Sequence, residues 1–313
     1  MMDWGLGPFI KYEGNPILAP TAEGWESHAL YNPTAWTDGQ EVSLLYRAEG
    51  PCDFPGRSFT SRVGLALSRD GIHFERQAAP VLEPTEWYEI PGGCEDPRLV
   101  KIADTFYLTY TGYDGAVARL CMAVSRNLRQ WEKWGPVFPD EAWDAYFPAQ
   151  EYPGTPRGWS KSGAIIDQQV NGKYWMYFGD THIWVASSAD LKSWQIEAEP
   201  VISPRQGYFD SRLAEPGPAP VRLGEGWWLG YNSADENLRY AFAQVLIDPA
   251  DPRKVLRRSE TPLLEPTRPD EQVGQVPQVV FAEGLVQLGR RWFLYYGMAD
   301  SRLGLAIADY PSH

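Results

Sequence analysis

VSLLYRAEG (42–50) is a short aromatic-rich stretch that ends in a small, polar turn, and similar stretches recur four more times along the chain. The copies are FYLTYTGYDG (106–115), YWMYFGDTH (174–182), GWWLGYNSAD (226–235) and RWFLYYGMAD (291–300). Their matching aromatic residues are Tyr46, Tyr110, Phe178, Tyr231 and Tyr296, spaced 64, 68, 53 and 65 residues apart. Self-similarity at such a period is typical of repeat architectures, so the repeat is the first guide to the fold.

Further strand-like elements flank each copy. EDPRLVKIAD (95–104) precedes the second copy, RLCMAVSRNL (119–128) follows it, and QWEKW (130–134) comes next. Turns such as TDG, RDG and VNG separate the elements, and no segment has a sustained 3.6-residue apolar period long enough for a core helix. Units of four short strands repeated in this way indicate a β-propeller. The sequence therefore predicts an all-β, five-bladed β-propeller with four-stranded blades, with a β-sandwich as the alternative fold.

The two ends of the sequence complement each other. The last unit stops after its third strand, LGLAIADY (303–310), and NPILAP (15–20) resembles the missing fourth strand. Pairing of these N- and C-terminal strands would close the ring and remove an exposed sheet edge. We therefore expect one catalytic domain over residues 1–313.

The composition narrows the class of partner. A net charge of −13 argues against nucleic acid and anionic membranes, whereas 14 Trp and 17 Tyr suit stacking on sugar rings. Three cysteines and four histidines without metal-ligand spacing predict neither a metal nor a cofactor. The first 16 residues have no apolar targeting core, and no run of 18 apolar residues occurs. A cytoplasmic protein is expected, with a homo-oligomer possible.

Acidic residues gather where the axis of a propeller would lie. The first strand of each blade lines this axis, and counting 14 residues back from the aromatic column leads to Asn32, Asp96 and Gly217. Lys161 and Glu283 occupy similar places in the third and fifth units. We expect Asp96 and Glu95 to face a shared funnel with Asn32, Lys161, Glu215 and Glu283.

Carboxylates that converge from separate blades repel each other, and burial raises the pKa of at least one of them. A protonated acid beside an ionised one is what glycosidic bond cleavage needs. A structural alternative for Asp96 is a salt bridge with Arg98 or another arginine, and Glu215 and Glu283 could be rim charges. Arg47 and Arg62 either hold sugar hydroxyls or pair with the acids.

Several motifs resemble glycoside hydrolase family 130, the β-mannoside phosphorylases and β-mannosidases. They are YNPTAW (31–36), GCEDPRLV (93–100), FDSRLAEPGPAPV (209–221), VVFAEGLV (279–286) and YYGMADSRLGLA (295–306). The resemblance implies a five-bladed propeller and an inverting reaction at a β-mannosidic bond. It also implies that Asp96 is the general acid, acting through a sugar hydroxyl. Asn32, Arg47, Arg62 and Asp300 then resemble the residues that bind the mannose of the −1 subsite.

The resemblance leaves the acceptor open between water and phosphate. Phosphorylases of the family carry a lysine and a histidine where this sequence has Leu213 and Asn232, although Lys161 is retained. A phosphate dianion needs several charge-assisted hydrogen bonds, and Glu215 would repel it. We expect an inverting hydrolase for β-1,2-mannosides, with a phosphate-dependent phosphorylase and a non-catalytic sugar-binding propeller as alternatives. The expected catalytic residues are Asp96, Glu215 and Glu283, and the expected substrate-binding residues are Asn32, Arg47, Arg62, Glu95, Arg98, Lys161, Asn232 and Asp300.

Overall fold

The computed structural model describes residues 4–139 and 159–309. Within these ranges the chain forms twenty-one β-strands and one helical turn, Pro269–Gln272. The expected all-β class is therefore confirmed. The aromatic insertion 141–159, whose role the sequence left open, lies outside the described residues apart from Trp159. None of the described helices is long and apolar enough to cross a membrane.

The strands form antiparallel groups in chain order, one for each sequence repeat. After β1 (Ile10–Lys11), the first group contains β2 (Ala29–Thr37), β3 (Val42–Pro51), β4 (Phe59–Ser68) and β5 (Glu75–Arg76). The second contains β6 (Gly93–Ile102), β7 (Thr105–Tyr113), β8 (Ala118–Ser125) and β9 (Glu132–Pro136). The third contains β10 (Ala164–Ile165), β11 (Tyr174–Phe178), β12 (Trp184–Ser188) and β13 (Gln195–Ile196).

The fourth group contains β14 (Leu213–Pro216), β15 (Val221–Leu223), β16 (Gly226–Ala234), β17 (Tyr240–Ile247) and β18 (Val255–Arg258). Its first strand is split into β14 and β15 because Pro218 and Pro220, which lie between them, have no N–H to donate. The fifth group contains β19 (Val280–Leu288), β20 (Arg291–Met298) and β21 (Arg302–Asp309).

The N-terminal strand completes the fifth group. β1 pairs antiparallel with β21, with Ile10 opposite Ile307. The segment predicted for this role, residues 15–20, contributes only an isolated bridge between Leu18 and Leu303. Pro16 and Pro20, at either end of this segment, lack the N–H groups that a longer ladder needs, so the pairing strand lies earlier in the chain.

Five hydrophobic clusters hold consecutive groups together, and the fifth group packs against the first as well as the fourth. Full burial of a leucine contributes about 1.5–3 kcal/mol, so each interface is a substantial part of the core. From the first–second to the fifth–first interface, each cluster contains residues of both groups, for example Leu65 and Leu108, Leu120 and Met176, Val185 and Leu229, Trp228 and Leu294, and Leu44 and Leu305.

A repeated polar triad fastens four of the five groups. In each, the tyrosine of the aromatic column donates a hydrogen bond to a buried carboxylate that precedes the group's first strand. A lysine or arginine from the last strand forms an ion pair with the same carboxylate. The triads are Tyr46–Glu26–Arg76, Tyr110–Glu89–Lys133, Tyr231–Asp210–Arg258 and Tyr296–Glu271–Lys11. In the third group, Phe178 and Ile196 take the tyrosine and base positions and pack in one apolar cluster.

Candidate active site

Three residues at equivalent places in the first three groups reach the site from unusual backbone. Asn32 and Asp96 both have a φ of 50°, and Ser162 has a φ of 67°. The strand register shifts at Asn32–Pro33 and at Asp96–Pro97, which leaves these residues out of the ladder. A bulge re-aims side chains, and left-handed backbone in non-glycine residues costs of order 1–3 kcal/mol. Such strain is concentrated at functional sites.

Asp96 is the centre of a dense set of contacts. Its Oδ1 accepts hydrogen bonds from Asn32 Nδ2 at 2.7 Å and from Arg47 Nη1 at 2.9 Å, and Lys161 Nζ lies 3.4 Å from Oδ2. Burial would raise the pKa of this carboxyl, but Lys161, Arg47 and Arg98 outweigh burial and hold the pKa well below its usual range. Asp96 is therefore ionised in the free protein.

Arg47 joins Asp96 to two further carboxyl groups. Its Nη2 donates to Glu95 Oε1 at 2.8 Å and to Glu49 Oε1 at 3.1 Å, and its Nε donates to Ser61 Oγ at 2.9 Å. The bulge thus brings Glu95 and Asp96 to the same guanidinium. Burial and the charge of Asp96 raise the pKa of Glu95 to about 7, although Arg47 opposes the shift.

Glu215 enters from the fourth group with one oxygen anchored. Ser162 Oγ donates a hydrogen bond to Oε1, Arg98 Nη2 lies 3.4 Å from the same oxygen, and Lys161 Nζ lies 3.8 Å from it. Oε2 accepts no hydrogen bond from the described residues. Burial raises the pKa of Glu215, while Lys161 and Arg98 oppose the shift.

Arg98, predicted to bind substrate, is buried beneath the acids, and its guanidinium is taken up by main-chain carbonyls. It is 2% exposed, and its guanidinium donates to the carbonyl oxygens of Pro216, Gly217 and Asp96. Its Nη2 also lies 2.8 Å from Glu283 Oε1. The alternative, a salt bridge of Asp96 with an arginine, is present, but the partner is Arg47 at 2.9 Å. Arg98 bonds to the Asp96 main chain instead.

Glu283, a predicted base, is completely enclosed. Although Arg98 is close, the angle is too poor for a hydrogen bond, so both carboxyl oxygens lack a hydrogen-bond partner among the described residues. Burial raises the pKa of Glu283 well above its usual range. Glu283 also borders a cavity of about 300 Å³ towards the other end of the first strands, together with Trp36, Leu99 and Pro218. This position does not offer its carboxylate to a water molecule beside Asp96.

Asn232 was expected to bind substrate, but the structure places its amide against the main chain of a neighbouring strand. Its Nδ2 donates to the Ala282 carbonyl at 3.0 Å, and its Oδ1 accepts from the Ala282 N–H at 2.7 Å. The amide satisfies the unpaired backbone of the neighbouring group and is fully buried. Asn232 therefore fastens the fourth group to the fifth.

Arg62 does not join the contacts around Asp96. It pairs with Ala48 while Arg47 pairs with Val63, and side-chain alternation places the two arginines on opposite faces of the sheet. Its recorded bond is a weak one to the Pro51 carbonyl at 3.5 Å.

Asp300 lies at the turn after β20, near Arg47 and Asp96. Its backbone is left-handed, with a φ of 48°. Burial raises its pKa to about 7, and the nearby charge of Arg47 offsets only part of that effect. Asp300 therefore belongs to the same charged cluster as Arg47 and Asp96.

The site is rich in acids relative to bases and reaches solvent through Lys161 and Arg47, whose side chains are 22% and 13% exposed. Among the described residues, no group of three or more His, Cys, Asp or Glu could hold a metal ion. Three cations, Arg47, Arg98 and Lys161, are near six carboxyl groups, namely Glu49, Glu95, Asp96, Glu215, Glu283 and Asp300.

Glu49, Ser61 and Ser162 also belong to the site, although the sequence analysis did not predict them as site residues. Glu49 had a usable signal, because it follows Arg47 by two positions on a strand and so shares its face. Ser61 lies directly opposite Glu49 on β4, which only the strand register reveals.

The whole-chain comparison agrees with the motifs. Residues 11–311 match the model of the glycoside hydrolase 130 family, described as beta-1,4-mannooligosaccharide phosphorylase. The chain belongs to glycoside hydrolase family 130. This family 130 protein is 36% identical over 306 residues to a 1,2-beta-oligomannan phosphorylase of Thermoanaerobacter sp. (strain X514), covering 96% of each chain.

Solved structures have the same fold as this family 130 protein. A putative glycoside hydrolase from Parabacteroides distasonis aligns with a TM-score of 0.88 at 34% identity, covering 98% of both chains. Another structure, from work describing glycoside hydrolases within this family of mannoside phosphorylases that target β-1,2 mannosidic linkages in Candida mannan, aligns with a TM-score of 0.86. Its identity is 35%, over 99% of this chain and 98% of that one.

Proposed function

We propose that this protein is a β-mannoside-cleaving enzyme built as a single five-bladed propeller over residues 1–313. The antiparallel groups, their interfaces in chain order and the packing of the fifth group on the first support a closed ring. In this arrangement the first strands surround one axis, and side chains distant in sequence meet around Asp96. β-1,2-linked mannosides are the proposed substrates, because the Thermoanaerobacter relative and the Candida mannan structure are both described with that linkage.

We propose water as the acceptor, in an inverting hydrolysis. The observation that carries this proposal is the arrangement of Glu215, whose Oε1 is anchored by Ser162 while Oε2 has no hydrogen bond to a described residue. A carboxylate held in this way accepts a proton from water at Oε2 and directs the water's oxygen towards the sugar. Glu283 is enclosed, so Glu215 is the base.

Asp96 is the proposed proton donor, and Glu95 supplies the proton that the site retains near neutral pH. A general acid must be protonated, whereas Asp96 alone is ionised in the free protein. Glu95 and Asp96 share Arg47. Two interacting acids titrate as a pair, so their apparent pKa values belong to the pair and not to either residue. Below a pH of about 7 the pair holds one proton. When substrate displaces water from the site, this proton lies on Asp96 in a fraction of the molecules, and Asp96 can then donate it.

Phosphorolysis is the second candidate, and the names of the curated relatives support it better than hydrolysis. Both Thermoanaerobacter relatives, at 36% and 33% identity, are named as phosphorylases. Lys161 is partly exposed and offers one cationic contact to phosphate. Against this candidate, Lys161 is already close to Asp96 and Glu215, and the surrounding carboxylates would repel a dianion.

Product analysis with β-1,2-mannobiose separates the two candidates. We expect free mannose at the same rate with and without inorganic phosphate. Formation of mannose 1-phosphate that depends on added phosphate would replace hydrolysis by phosphorolysis. Absence of any cleavage under both conditions, with sugar binding retained, would leave a binding protein.

A further inference from the structure

Ser162 makes one of the most buried polar contacts near the site. Its side chain donates to Glu215 Oε1, and the residue is 1% exposed. Its left-handed backbone, with a φ of 67°, is unfavourable for a serine and aims the hydroxyl at the fourth group. This hydroxyl is buried, it is held by strained backbone, and it bonds to a carboxylate 53 residues away, so it restricts the orientation of that carboxylate.

The same device occurs on the other side of the site. Asn32 of the first group also has left-handed backbone and donates to Asp96 of the second group. Ser162 of the third group relates to Glu215 of the fourth in the same way. In both pairs the donor bonds one carboxylate oxygen, Oδ1 or Oε1, so the two proposed reactive carboxylates are fixed by the same repeat position.

We propose that Ser162 is a positioning residue, which holds Glu215 Oε1 so that Oε2 faces the reacting water. This inference rests on the proposed hydrolytic role of Glu215. Without the hydroxyl, Lys161 and Arg98 are the remaining partners of Oε1, at 3.8 and 3.4 Å. The carboxylate would then turn towards these cations and move Oε2 from the water.

The test uses Ser162→Gly in the full chain, because glycine adopts a positive φ without strain and removes only the hydroxymethyl group. A hydrogen bond to an ionised group is worth about 1.5–3 kcal/mol, so we expect kcat to fall about tenfold to a hundredfold with KM little changed. The lost bond had favoured the ionised form of Glu215, so the acid limb of the pH–kcat profile should move to higher pH. Ser160→Ala is the matched control, because Ser160 Oγ accepts a bond from the Leu120 N–H and contacts no carboxylate of the site.

A crystal structure of Ser162→Gly decides the positioning role separately from activity. We expect the Glu215 carboxylate to be rotated relative to the wild-type protein. An unmoved Glu215, or an unchanged kcat and acid limb, would overturn the inference. If the wild-type protein releases no mannose and the variant still shows a rotated Glu215, the hydrolytic function fails while the positioning contact stands.

Discussion

Asn32 Nδ2 donates a 2.7 Å hydrogen bond to Asp96 Oδ1 across 64 residues of sequence. The bond joins the first group to the second and, with Arg47 on the same oxygen, leaves Oδ2 of Asp96 directed towards Lys161. Reactive carboxylates are effective when neighbouring groups fix their orientation before substrate arrives. The pair shows that the fold supplies such orientation from a neighbouring strand group.

Asp96→Asn should reduce kcat by about a hundredfold to ten-thousandfold, because proton transfer by a positioned side chain contributes about that much and the variant cannot donate. The amide is nearly isosteric, so the thermal midpoint should be retained within a few degrees. Steady-state kinetics and thermal unfolding check both parts. Asp190→Asn is a control, because Asp190 caps an exposed turn through the Lys192 and Ser193 N–H groups. Turnover by Asp96→Asn close to the wild-type rate would remove this residue from the mechanism.

Glu215→Gln should abolish hydrolysis, and added azide should restore turnover with mannosyl azide as the product. A small anion occupies the space beside the neutral amide and replaces the water that the carboxylate activates. Glu283→Gln should keep measurable hydrolysis without azide, since Glu283 is enclosed behind Arg98. The reverse result, with azide rescue only in Glu283→Gln, would exchange the assignments.

The kcat/KM of the wild-type protein should fall as the pH rises through about 7, since the proton bound by Glu95 and Asp96 is lost there. Glu95→Gln removes the group that retains this proton, and it also removes a negative neighbour that favours protonation of Asp96. The descending limb should therefore move to lower pH in this variant. A limb that stays in place would show that another group controls the alkaline side.

The stability of the folded protein should depend on Glu95 in the same pH range. Its pKa is about 7 when folded, whereas an unperturbed glutamate has a pKa of about 4.3. Between these values the folded state binds a proton that the unfolded state has lost. The free energy of unfolding therefore falls as the pH rises, by up to about 1.4 kcal/mol per pH unit for one proton. Denaturant unfolding at several pH values should give a shallower fall in Glu95→Gln, and an unchanged slope would contradict the assigned shift.

The repeated triads predict that two opposite substitutions, tyrosine to phenylalanine and phenylalanine to tyrosine, both destabilise the protein. Tyr46→Phe leaves the buried carboxylate of Glu26 without its hydroxyl donor and should lower the free energy of unfolding by about 1–3 kcal/mol. Phe178→Tyr places a hydroxyl in the apolar cluster of the third group and should also destabilise by about 1–3 kcal/mol. Chemical denaturation measures both, and a stabilising Phe178→Tyr would show that the third group contains a polar partner.

The repeat predicted the all-β class and the strand groups because every unit carries the same local pattern, which is visible without any long-range contact. The triads strengthen the repeat, yet they do not form a motif, because their members are far apart in sequence. Glu26 and Arg76 lie at opposite ends of the first unit, and Lys11 lies 260 residues from Glu271. Pairing of the chain ends was predicted correctly in kind but in the wrong segment. The ladder depends on N–H groups that Pro16 and Pro20 lack.

The site residues could be predicted only where the position of a residue along its strand determines the direction in which its side chain points. Asp96 and Asn32 were found because they occupy one place in the repeat. The bulge at Asp96 brought Glu95 to the same side, which alternation along a regular strand would not predict. Arg98 was assigned to substrate as a cation near the expected channel, and Asn232 because it occupies the place of a histidine in the phosphorylases that the sequence resembles. Both side chains bond to main-chain groups of distant strands, and these contacts depend on tertiary structure that the sequence pattern does not show.

The most direct test of the hydrolytic mechanism is to follow the cleavage of β-1,2-mannobiose by NMR in H₂¹⁸O buffer that contains no phosphate. Inverting attack by water, with Asp96 as acid and Glu215 as base, predicts that the first released sugar from the non-reducing end is α-mannose with ¹⁸O at C1. β-Mannose as the first product, or release that begins only after phosphate is added, would contradict it.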